Sequence, residues 1–105
     1  MEDDWSCDEQ EAARVAFALA YERDLAHLTR SVQEMSQSIH TLDQAWELHD
    51  YLSTRRYEFD GKYDFKPSVL LFTFAGMVKD GLLELRELEG LDLKKLAKIT
   101  ALSRM

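Results

Sequence analysis

Apolar or near-apolar side chains recur at Tyr21, Leu25, Leu28, Val32, Met35, Ile39 and Leu42, alternately four and three residues apart. That is the period of a heptad seam, a narrow stripe that one helix presents to another, rather than the broad stripe of a helix lying on a globular core. Neither Gly nor Pro interrupts residues 6–60, and Ser6 with Glu9 three positions later forms the capping-box pattern that opens a helix. A weak point lies at "SQSIHTLDQ", where Ser, His, Thr and Asp are poor helix formers and Thr41 with Gln44 repeats the capping-box spacing. The pattern fits either a kinked continuous helix or two helices.

From Trp46 the helical pattern continues to Asp60, where Asp60-Gly61 reads as a turn that stops it. Pro67 suits the first position of a third helix over "VLLFTFAGMVKDG", ending at Gly81. Val69 to Phe74 has the propensity of a strand, but a solitary strand would have nothing to pair with. The segments "LLELRELEG" and "LDLKKLAKITALSRM" are short and amphipathic and are punctuated by Gly90, the second with Leu93, Leu96, Ile99 and Leu102 on one face. The expected fold class is all-α: a long helical stalk, residues 1–60, and a small helical head, residues 61–105, forming one structural domain overall. At ~1.5 Å of rise per residue the stalk outruns what the head can cover. The seam Leu25, Leu28, Val32, Met35, Ile39 and Leu42 therefore predicts a twofold homodimer with stalks side by side. The competing arrangement is a monomeric bundle whose first helix folds back over the head.

Composition narrows the function classes. With 105 residues, 46% hydrophobic and 31% charged, the chain reads as one soluble folded domain. A net charge of −7 argues against nucleic acid or an anionic bilayer as partner, because both would be repelled at long range. Cys7 is the single cysteine, so neither an intramolecular disulfide nor a cysteine zinc site is expected, and a reducing cytoplasmic compartment fits. The N-terminus lacks a signal-peptide pattern, and "PSVLLFTFAGMV" is too short for membrane insertion.

Candidate chemistry concentrates in "WELHDYLSTRRYEFDGKYD", residues 46–64. On a helix Leu48, Leu52 and Phe59 share one side, while Trp46, His49, Asp50, Ser53 and Arg56 share a neighbouring side. Trp and Arg dominate interface hot spots, since each joins large contact area to directional polar contacts. One reading makes this a partner-binding surface; the other makes Trp46 a core or dimer anchor beside a solvated charged face. Neighbours on a helix point about 100° apart, so His49 and Asp50 are not expected to form an orienting pair, and Ser53 lacks a nucleophile-elbow pattern. No catalytic residues and no small-molecule substrate are expected. His27, His40 and His49 do not fall on one helix face, so no metal site is expected, and no Gly-rich loop offers a phosphate or cofactor cradle. Met35 and Met77 read as core fillers. The acidic residues Glu2, Asp3, Asp4, Asp8, Glu9 and Glu11 complement a helix N-terminus. Phe72 and Phe74 read as core, with one of them free to point outward, and Lys94, Lys95 and Lys98 form a strip able to steer an acidic protein patch.

Together with "FTFAGMVKDGLLEL" and "KKLAKITALSRM", the 46–64 stretch resembles the fluorescence recovery protein family of cyanobacteria, a likeness that begins at Trp5 and runs across nearly the whole chain. Its most specific part is W-x-L-H-D-aromatic-L-S followed by R-x-E-x-D-G-K-Y-D. The resemblance implies an all-helical, non-enzymatic dimer without cofactor, acting in photoprotection. Such proteins bind the photoactivated red form of orange carotenoid protein through its C-terminal domain, speed its return to the orange form and promote its release from the phycobilisome. It further implies partner binding by Trp46, His49, Asp50 and Arg56, with Phe72 and Lys98 contributing in the head. A cytoplasmic location follows, either free or peripheral at the cytoplasmic face of thylakoid membranes. A helical dimer of the same fold serving a different protein partner is the alternative.

Overall fold

A computed structural model describes residues 4–105, and among these the chain is all-α with no strand. Glu2 and Asp3 of the acidic cluster lie outside the described residues. Helix α1 spans Cys7–Gln37, α2 Leu42–Lys62, α3 Leu70–Lys79 and α4 Leu93–Ser103, with 3₁₀ turns at Pro67–Val69 and Leu85–Leu88. The chain divides into two compact units: the chain through Glu22 joined with Phe65–Met105, and Arg23–Asp64. The division thus falls inside α1 and after Asp64, whereas the sequence pattern suggested a single boundary at residue 60.

Both capping boxes form. The Ser6 N–H donates to Glu9 Oε1 at 3.1 Å and the Glu9 N–H to Ser6 Oγ at 3.1 Å, so α1 begins with its orphan donors satisfied. The weak point at residues 38–41 resolves into a true break between two helices. Thr41 Oγ1 accepts from the Gln44 N–H at 3.2 Å, while Gln44 Oε1 accepts from the N–H of Thr41 at 3.1 Å and of His40 at 2.7 Å.

The first unit holds the core. Leu70, Leu71, Phe74, Ala75 and Met77 of α3 are buried with Leu82, Leu83, Leu88, Leu91 and Ile99. From α1 come Ala13, Ala16 and Ala20, a strip of small side chains three and four residues apart. Beside this strip, Ala12 makes a close approach: a Cβ on Gly90 would stand 2.6 Å from Ala12 Cβ, so only glycine fits there. Helix α3 ends through Asp80 into Gly81, the one described glycine with positive φ, at 80°. The Val69–Phe74 run is helical or 3₁₀.

Two expectations for α4 need correction. Leu93 is exposed, and Lys95 is buried at 4%. The inward face runs Leu91, Lys95, Ile99, because Lys95 Nζ donates to Glu9 Oε2 at 3.0 Å and to the Asp4 carbonyl at 2.5 Å and lies 4.9 Å from the Trp5 ring centre. Paired in this way, a lysine can replace an apolar residue at an inward position. Lys95 is therefore a structural clasp and not part of a basic surface strip.

Candidate partner-binding surface

In the second unit α2 turns back along the latter part of α1. Asp24, buried at 6%, collects three donors from α2 and its end. Its Oδ1 accepts from Arg55 Nη2 at 3.3 Å, and its Oδ2 from Lys62 Nζ at 3.0 Å and the Tyr63 hydroxyl at 2.8 Å. Burial opposes ionisation of Asp24, but the hydrogen bonds from Tyr63 and Lys62 and the charges of Lys62 and Arg55 outweigh it and hold the carboxyl below its usual range. These contacts also explain why Gly61 does not stop the helix as its Asp-Gly turn chemistry suggested. Helix α2 runs through it to Lys62 and is closed by the Tyr63 N–H on the Phe59 carbonyl at 3.0 Å. Tertiary ties beyond the glycine override its local preference.

With Arg55 and Lys62 pinned inward, the opposite side of α2 faces solvent. Trp46 is 57% exposed, and His49, Asp50 and Arg56 are exposed with it. The Trp46 and His49 rings meet edge to face at 6.1 Å between centroids with an interplanar angle of 86°. His49 Nδ1 approaches Asp50 Oδ1 at 3.3 Å, a pairing that the helical angle between neighbours did not suggest. Both groups are solvated, and among the described residues no hydrogen bond joins Ser53 to His49.

The structure thus brings Trp46, His49, Asp50 and Arg56 onto one helix. Phe72 and Lys98 are both exposed but belong to the first unit, on α3 and α4 respectively. Phe72 is 65% exposed while Phe74 is fully buried, so the outward member of that pair is Phe72. Along the predicted seam Leu25 and Leu42 are exposed, and Leu28, Val32, Met35 and Ile39 are half-buried. Met35 and Ile39 line an open cleft of about 300 Å³ with Glu34, Ser38, Gln44, Glu47 and Leu48, so Met35 is not a core filler. Sequence reasoning passed over Asp24, which interrupts no visible pattern, and Tyr57, whose spacing from Trp46 was the available signal.

Among the described residues no group of His, Cys, Asp and Glu could hold a metal ion, and no helix is long and apolar enough to cross a membrane.

Fold and surface together define an all-helical protein that displays exposed ionic and aromatic side chains along one helix. The model of the family described as photoprotection regulator fluorescence recovery protein matches residues 5–103, and the chain belongs to that family. It is 44% identical over 101 residues to the fluorescence recovery protein of Synechocystis sp., covering 96% of this chain and 93% of that protein. The solved fluorescence recovery protein of Fremyella diplosiphon superposes with a TM-score of 0.92 at 50% identity, covering 97% of this chain and all of that one. The Synechocystis structure superposes with a TM-score of 0.91 at 43% identity and covers 97% of this chain.

Proposed function

We propose that the chain is a non-enzymatic regulator of photoprotection that binds photoactivated, red orange carotenoid protein through the latter's C-terminal domain. It accelerates reversion to the orange form and promotes release from the phycobilisome, working as a homodimer joined along the Leu25–Leu42 seam. The observation that carries this reading is family membership over residues 5–103 together with the solvent-facing set Trp46, His49, Asp50 and Arg56 on α2.

The physical requirement on such a helper is differential binding. Relaxation speeds up only if the regulator holds the route between the red and orange forms more tightly than it holds the red ground state. Trp46 supplies apolar area, and Asp50 and Arg56 supply charges of opposite sign that fix orientation. His49, edge-on to Trp46 and beside Asp50, supplies a polar contact. Phe72 and Lys98 supply a second contact from the other unit. No covalent step is needed. The test is dark colour recovery of photoconverted orange carotenoid protein: addition of this chain shortens it, and an unchanged recovery time discards the reading in favour of another protein partner.

A further inference from the structure

Tyr57 is 84% exposed, more than any other aromatic side chain of the described chain, and it engages no hydrogen bond, ring or ion pair there. It lies eleven residues after Trp46. Eleven residues at ~100° each bring it to about 20° from Trp46 around α2, displaced ~16 Å along the axis. Arg55, whose guanidinium is tied to Asp24 and Glu58, lies about 160° away from Tyr57 on the same helix. Tyr57 therefore has no part in closing the helix pair. Its neighbour Arg56 and the intervening Asp50 and Ser53 make the ground between the two aromatic rings polar.

We propose that Tyr57 is a further anchor of the partner-binding surface, extending it along α2 from the Trp46 end. The proposal rests on the function argued above and commits to the same occupant, a folded protein. Two anchors ~16 Å apart fit inside one standard protein footprint of about 800 Å². The net charge of −7 disfavours a phosphate polymer or an anionic membrane as the occupant. Tyr combines a large apolar ring with a hydroxyl at low conformational cost, which is why it is enriched in such surfaces. An isolated ring left in water contributes nothing to the fold. Covered by a partner, it contributes area and one directed hydrogen bond.

The test compares Tyr57→Ser, Tyr57→Phe and Trp46→Ala with the parent chain, using purified photoconverted orange carotenoid protein. The readouts are binding, dark recovery, helicity and solution mass. Tyr57→Ser is expected to weaken binding about tenfold or more with helicity and mass unchanged, and Tyr57→Phe to retain most of the affinity, since ring area dominates anchor residues. Binding by Tyr57→Ser within twofold of the parent, while Trp46→Ala is impaired, overturns the role of Tyr57 and leaves the rest of the surface standing. A change in mass for Tyr57→Ser also overturns it, by assigning the ring to contact between copies. If the parent chain itself neither binds nor accelerates recovery, the underlying function falls instead.

Discussion

Arg55 and Arg56 are adjacent in sequence and have opposite fates. Arg55 turns inward to Asp24 and Glu58 and over the Phe59 ring, while Arg56 stands in solvent beside the exposed patch. One residue of register decides which is structural. At the other end of the chain Glu9 shows how a side chain expected only to complement a helix dipole can do more. The Ser6 backbone N–H is the largest influence on its carboxyl; with Lys95 and the Asp92 N–H it outweighs burial and lowers the pKa from 4.5 to about 2. A lowered carboxylate pKa adds stability that is complete above the unfolded value and disappears as pH falls through the folded one. Glu9→Gln is therefore expected to be less stable than the parent at neutral pH, with the difference shrinking between pH 4.5 and about 2. Denaturant midpoints of both chains across that range check it; a difference independent of pH contradicts the pairing.

At the scale of elements, α2 is a helix with no fully buried residue. It is held by a capping box at its start and by Asp24 toward its end rather than by a dense apolar core. Asp24→Asn removes the charge that Arg55, Lys62 and Tyr63 share, and an unsatisfied buried polar group costs about 1–3 kcal/mol. A loss of that order in urea unfolding is expected, and an unchanged midpoint would show that the network adds nothing. The same contrast explains how much was legible in the sequence. The helix starts at Ser6 and Thr41 were readable because capping boxes are local, and the α3 stop at Gly81 because a positive φ selects glycine. The end of α2 was not readable, since Lys62 and Tyr63 reach a residue about forty positions earlier. Nor was the α1 contribution to the core, because Ala13, Ala16 and Ala20 give a weak hydropathy signal although they are all buried. Spacing placed Trp46, His49, Asp50 and Arg56 toward one side of a helix, and all four are exposed on α2; a partner-binding role for them was implied only by the resemblance. The exposure of Phe72 rather than Phe74 required the structure.

For the whole molecule, each unit has its own means of stability. The first has an apolar core closed by the Lys95 clasp, and the second relies on polar ties with half-buried seam residues between them. In a single chain the seam is left partly open, with Leu25 and Leu42 exposed, and the proposed dimer would gain about 25 cal/mol for each Å² of that apolar surface it covered. Leu25→Glu places a charge there without touching the core. Sedimentation of the parent is expected near twice the chain mass of 12.2 kDa, and of Leu25→Glu near a single chain mass with helicity retained. A parent that sediments as a single chain removes the dimer from the account.

The most direct measurement is dark recovery of photoconverted orange carotenoid protein with the parent chain, with Trp46→Ala and with Arg56→Ala. The account predicts acceleration by the parent and a recovery at least about tenfold slower with either variant, the loss expected when a hot-spot side chain contributing more than ~1.4 kcal/mol is removed. Equal acceleration by all three chains, with helicity and mass alike, would contradict the assignment of the α2 surface.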